Sequence, residues 1–174
     1  MSAVVLERLS AEERARRAAL AREAVSAVPD PEVPVLTIED LGVLRDVAVS
    51  PDGHVDVTIT PTYSGCPAMD AIRADVETAL RERGMTDVTV HTVLSPAWTT
   101  DWLSEEGRRK LTEFGIAPPG RRATTGPVLV GLSVRCPNCG SFDTHELSRF
   151  SSTACKALYR CKACLEPFDH FKAH

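Results

Sequence analysis

No stretch of the 174-residue sequence approaches the roughly 18 apolar residues that a membrane-spanning helix needs, so no membrane anchor is expected. A basic block or stripe is also missing, and the formal net charge is −4. Both facts count against a nucleic-acid partner. Met1 to Glu7 shows neither a positive start nor an apolar core of the kind that directs export. The expected compartment is the cytoplasm, where thiols stay reduced and serve as metal ligands or reactive groups rather than disulfides. There is no Ser/His/Asp order, no phosphate-binding glycine loop and no paired-carboxylate spacing, so no enzyme class is indicated. Internal repeats and low-complexity tracts are absent.

What the sequence does hold is cysteine in a pattern. Two CxxC pairs, Cys136-Pro137-Asn138-Cys139 and Cys161-Lys162-Ala163-Cys164, bracket the last forty or so residues. A CxxC turn sends both sulfurs to one side, and two such turns complete a tetrahedron around Zn²⁺. The gap from Gly140 to Arg160 suits an intervening hairpin. A piece this short cannot bury enough apolar surface to fold alone, and a structural metal is the usual remedy. Two disulfides, four reduced core thiols or a redox dithiol are the competing readings. The last is disfavoured because neither CxxC follows a strand and opens a helix.

Ahead of the ribbon, Ser10-Ala11-Glu12-Glu13 forms a capping box. The helix it opens is expected to reach about Val28, with Leu20, Ala24 and Val28 as its buried stripe. Asp30-Pro31-Glu32-Val33-Pro34 should be extended, since each proline pushes its predecessor out of the helical region. Thr37 to Gly42 reads as one capped helical turn. Val43–Val49 and Val55–Ile59 read as strands joined by Pro51-Asp52-Gly53, the second with alternate residues buried. Met69, Ile72, Val76 and Leu80 mark the buried stripe of a helix beginning near Pro67 and stopped at Gly84. Val88 to Val93 is a third strand of either direction. A short helix from Ser104 to Phe114 follows, then a segment of linker composition from Pro118 to Pro127 and a strand from Val128 to Val134. The fold class is α+β, a small sheet covered by helices on one face, followed by a small β zinc ribbon. The expected domains are 10–115, a linker and strand over 116–131, and the ribbon over 132–174.

Cys66 stands apart from the ribbon, between Gly65 and Pro67 at the mouth of a helix. A helix N-terminus favours an anion and so a thiolate. The competing reading is a small buried hydrophobe. Asp30, Glu32 and Asp40 are cap-and-loop residues or part of a site. Thr62 and Ser64 bind a ligand or close the loop. Trp98 and Trp102 are core anchors or a ligand platform. Cys155 is the odd sixth cysteine: packed, a substitute zinc ligand, or a partner for Cys66 in a second metal site. His145, His170 and His174 are weaker ligand candidates, because four thiolates already satisfy a zinc.

Three stretches carry a resemblance. Asp30–Ile38 with Asp40-Leu41-Gly42 resembles the signature of the small domain shared by SufT-type iron–sulfur assembly proteins and the eukaryotic cytosolic iron–sulfur targeting factor. Thr60–Ala68 resembles that domain's cysteine loop. Ser95–Trp102, Ser152–Cys161 and the two CxxC pairs narrow the likeness to the PaaD (PaaJ) family, over residues 27 to 172. That family is named as a subunit of the phenylacetyl-CoA epoxidase complex of phenylacetate degradation, yet is thought to act in its maturation. The resemblance implies a non-enzymatic assembly factor or, alternatively, a structural subunit. It implies partners in the di-iron oxygenase and its iron–sulfur flavin reductase, a homodimer, and a structural Zn²⁺ at the ribbon. Cys66 would be the reactive cysteine that carries iron or a cluster transiently, with Thr62 and Asp30 shaping its loop. One departure is local: members often end Phe-Lys-Cys, whereas this chain has Phe171-Lys172-Ala173.

Overall fold

A computed structural model describes residues 8–120 and 134–173. The chain divides into two compact units between Trp98 and Thr99. The capping box opens helix α1 (Ala11–Ser26): Glu13 N donates to Ser10 Oγ at 3.2 Å, and Ser10 N donates to Glu13 Oε2 at 2.8 Å. The helix buries Ala21, Ala24 and Val25, and Val28 is buried just beyond its end, whereas the expected Leu20 is 44% exposed. Successive i+4 steps overshoot a full turn by about 40°, so Leu20 drifts off the face that Ala24 occupies.

The segment after α1 folds back rather than extending. Asp30 Oδ1 accepts from Glu32 N at 2.9 Å and Val33 N at 2.8 Å, and Asp30 N donates to Leu36 O. Asp30 thus closes a local turn with its own side chain, and the chain reverses within the proline-containing segment. Thr37 and Asp40 then cap each other reciprocally, each side chain accepting from the other's backbone N–H.

Strands β1 (Leu44–Val49) and β2 (Val55–Ile59) are antiparallel; β3 (Val88–Thr92) pairs with β2 in parallel, in the order β1-β2-β3. Parallel pairing requires a crossover, and helix α2 (Met69–Glu82) supplies it. Val55, Val57 and Ile59 are fully buried, as their alternation predicts, with Ile72, Val76 and Leu80 of α2 and Leu36, Ile38 and Leu41 of the loop. Trp98 is a core anchor: it is buried, and its Nε1 donates to Leu41 O at 2.8 Å.

In the second unit, helix α3 (Glu105–Glu113) is capped by Ser104 and followed by strand β4 (Ile116–Ala117). Strands β5 (Thr144–Ser148), β6 (Lys156–Cys161) and β7 (Pro167–Phe171) complete a sheet in the order β4-β7-β6-β5. The expected boundary at 115 thus differs from the division observed. Ile116 and Ala117 pair in parallel with Asp169 and His170, and this pairing draws α3 into the ribbon's unit. The expected strand over 128–134 and most of the expected linker lie outside the described residues. Among the described residues, no helix is long and apolar enough to cross a membrane.

Candidate functional site

The two CxxC turns are built alike. Cys136 N donates to Ser141 O, and Cys161 N donates to Glu166 O. The residue after each second cysteine has a left-handed backbone, Gly140 at φ +77° and Leu165 at φ +67°. Glycine fits this conformation, but a β-carbon is strained in it by roughly 1–2 kcal/mol. Leu165 is 62% exposed, so it has little packing to lose. Leu165→Gly should therefore raise the ribbon's stability by about 0.5–1 kcal/mol, read as an upward shift of the thermal midpoint; an unchanged or lower midpoint would refute the strain.

The turns bring Cys136, Cys139, Cys161 and Cys164 together, with all four sulfurs within 4.8 Å of one another. Cys136 and Cys164 are separated by 3.8 Å, Cys139 and Cys161 by 3.5 Å. These distances rule out the disulfide reading, which needs about 2.05 Å between sulfurs. They match the edge of about 3.8 Å that a tetrahedron with 2.3 Å Zn–S bonds would have. Cys161 is drawn down to about 7, chiefly by the Cys164 backbone N–H, whereas Cys164, against the pull of the Glu166 backbone N–H, is pushed up to about 12 by its three neighbouring thiols. One thiolate therefore forms readily, and a metal ion must displace the remaining protons. Cys136 and Cys161 also form the small ribbon core with Ala117 and Phe168. The cluster can hold a metal ion, and the donor set fits zinc.

Cys155 lies outside this group. It is buried, with its sulfur 3.0 Å from Thr153 Oγ1, which fits the packed reading. His170 is also occupied, its Nδ1 lying 3.1 Å from Ala117 O, and burial lowers its pKa.

Cys66 sits in the loop between β2 and α2. The helix begins at Met69 rather than at Pro67, and Cys66 O accepts from Met69 N in the turn leading to it. The sulfur is half-buried. Burial raises its pKa above the ordinary thiol value; the Ala68 N–H and Tyr63 hydroxyl pull it down, while Glu32 and Asp30 push it up. The expected stabilisation of the thiolate by the helix N-terminus is present as the Ala68 N–H but is outweighed. Asp30 is buried, and burial also raises its pKa. The structure therefore brings Asp30 and Cys66 into electrostatic contact. Thr62 is half-buried in the same loop. Sequence reasoning missed Tyr63 and Glu32 as neighbours of the sulfur; Tyr63, three residues before it, was the available signal.

A raised thiol pKa means little thiolate at neutral pH. Cys66 should react with iodoacetamide more slowly than a free cysteine at pH 7, with the rate still rising above pH 9. Glu32→Gln removes a repelling charge and should shift the pH–rate curve to lower pH. Mass spectrometry of residue 66 measures both, and an acid-shifted wild-type profile would reverse the assignment.

A helix-backed three-stranded domain with a cysteine loop, followed in the chain by a four-thiol ribbon, defines a two-module protein with a metal-type cysteine cluster. Residues 19–92 match the model of the iron–sulfur cluster assembly protein domain, and residues 122–172 match that of the PaaD zinc beta ribbon domain. An Escherichia coli K12 protein, provisionally named as one of the subunits of 1,2-phenylacetyl-CoA epoxidase, is 49% identical over 148 residues, covering 85% of this chain and 88% of its own length. An "Fe-S protein maturation auxiliary factor" of Porphyromonas gingivalis is 40% identical over 85 residues, 48% of this chain and 80% of that protein. The crystal structure of a DUF59 domain of unknown function from Bacillus anthracis aligns with a TM-score of 0.55 at 26% identity, covering 59% of this chain and 97% of that one. The chain belongs to the PaaD family.

Proposed function

We propose that this chain is a non-catalytic maturation factor that delivers iron or an iron–sulfur cluster to a phenylacetyl-CoA epoxidase system. The observation that carries the reading is the split among its cysteines. Four converge in a set that suits permanent Zn²⁺ binding, while Cys66 stands in a loop of the assembly domain with its sulfur half-buried. A structural site holds its metal by saturating it. A carrier must release its cargo, and a single thiol with a raised pKa binds weakly because the metal must first displace a proton. Asp30 and Thr62 shape the loop, and Tyr63 steadies the sulfur. One thiol from each of two chains would hold a shared cluster in a homodimer. Zinc at the ribbon supplies rigidity, and the ribbon docks the client, either the oxygenase or its iron–sulfur flavin reductase. The E. coli relative's name, together with the maturation-factor names of the shorter relatives, supports this system.

The test is Cys66→Ser expressed in a strain lacking the wild-type chain. Epoxidase activity and enzyme-bound iron should fall to the level of the deletion, with the variant still folded. Full activity with normal iron content would defeat the proposal. It would favour the second reading, a structural subunit of the complex, which the E. coli relative's name suggests and which fixed-stoichiometry co-purification would support.

A further inference from the structure

The face of the first sheet opposite the helices carries a second group of ligand-type side chains. Side chains alternate between the two faces of a strand. Val55, Val57 and Ile59 are buried, so His54 and Asp56 turn to the other face. The parallel register sets Asp56 beside Thr89 and Thr58 beside His91, which brings Asp87 and His91 to that same face. His91 Nε2 lies 2.7 Å from Asp56 Oδ1, and His54 Nε2 lies 3.6 Å from the same oxygen. The other nitrogen of His54, Nδ1, is 2.8 Å from Asp87 Oδ1.

That last contact distinguishes the group from an ordinary surface ion pair. A histidine that ligates a metal gives its second ring N–H to a carboxylate, which fixes its tautomer and aims its free lone pair. With Asp87 accepting from Nδ1, the neutral ring carries its lone pair on Nε2, 3.6 Å from Asp56 Oδ1. The hydrogen bond to Asp87 and the nearby carboxylates raise the His54 pKa, so a metal ion must first displace the ring proton. Two imidazoles and one carboxylate on one side are a donor set for first-row divalent metals, with coordination positions left open. Ligand bonds near 2.1 Å place neighbouring donor atoms about 3 Å apart, and the separations of 2.7 and 3.6 Å bracket that spacing. As placed, only the ribbon cysteines converge mutually within 4.8 Å among the described residues. The donor atoms of His54 and His91 stand too far apart to share an ion as placed, so binding requires the His91 ring, whose side chain is 51% exposed, to swing toward His54. Stability gives little reason for the arrangement, since exposed ion pairs contribute about 0–1 kcal/mol.

We propose that His54, Asp56 and His91 bind a divalent first-row transition-metal ion, with Asp87 as the positioning residue for His54. The site needs no thiol and is independent of the role proposed for Cys66.

The test is equilibrium dialysis of the zinc-loaded, full-length Cys66→Ser protein against Co²⁺. About one Co²⁺ per chain should be taken up with zinc retained and without the charge-transfer absorption of cobalt–thiolate bonds. Asp87→Asn should weaken uptake by about 10–100-fold, and the His54→Ala/His91→Ala double variant should abolish it. No added Co²⁺, absorption of the thiolate type alone, or undiminished uptake in the double variant would overturn the site. Should the double variant misfold, histidine ring resonances of the parent protein decide: paramagnetic broadening of His54 and His91 supports the site, and unchanged resonances overturn it.

Discussion

Stripping the metal from the four-cysteine cluster should unfold the ribbon while the first unit keeps its structure. The cluster packed around the sulfurs is small, and two of its four buried members, Cys136 and Cys161, are themselves sulfur donors. The other buried apolar side chains of these strands, Ala157, Phe168 and Phe171, are too few for a piece of this size to hold β5, β6 and β7 together once the thiols are unligated. Structural zinc supplies about 10–16 kcal/mol in small zinc modules, as much as the whole stability of a typical domain. Cys161→Ala should have the same effect without a chelator. Metal analysis should find about one zinc per chain before treatment, and amide exchange should then show protection lost in 144–171 and retained in 55–92. Uniform protection after complete metal removal would mean that the cysteines are only packed.

Asp169→Ala should be the most damaging substitution in the ribbon outside the cysteines. Lys156 is buried, and its Nζ lies 3.1 Å from Asp169 Oδ2; Ser151 Oγ donates to the other carboxylate oxygen. Removing the carboxylate leaves an ammonium with its side chain 9% exposed and no counter-charge beside it. Such half-broken pairs cost about 3–5 kcal/mol. Replacing both partners, as in Lys156→Met with Asp169→Leu, should recover most of the loss, because the penalty lies in the stranded charge. Thermal unfolding of the metal-loaded chain measures both. A loss under about 1 kcal/mol for Asp169→Ala would place the pair with ordinary surface contacts.

What could be read from the residues was what depends on short spacing. Ser10 and Glu13 stand three apart, and their mutual cap needs nothing else. Val55, Val57 and Ile59 announce a half-buried strand by alternation alone. Each CxxC fixes two sulfurs, and two pairs suffice for a tetrahedron. What could not be read depended on distant partners. The direction of β3 is settled by packing of α2, and only that register brings His91 to Asp56. Helix α3 looks like the end of the first domain until β4 is seen to pair with β7. The Cys66 thiol misled for a related reason. Its helix N-terminus is local and visible in the sequence, whereas the burial that outweighs it depends on tertiary packing, and the two carboxylates that add to it, Asp30 and Glu32, stand some thirty residues earlier.

The loop over residues 61–68 lies beyond the carboxyl end of β2, in the connection of a parallel β2-α2-β3 unit. Open sheets of this kind place their variable chemistry there, because the strands beneath are held by their own ladder and core. Reactivity and foldability are therefore encoded in different segments. A grafted or shuffled loop with other thiols can be tried in this scaffold without redesigning the sheet, and a lineage could change its cargo by the same route.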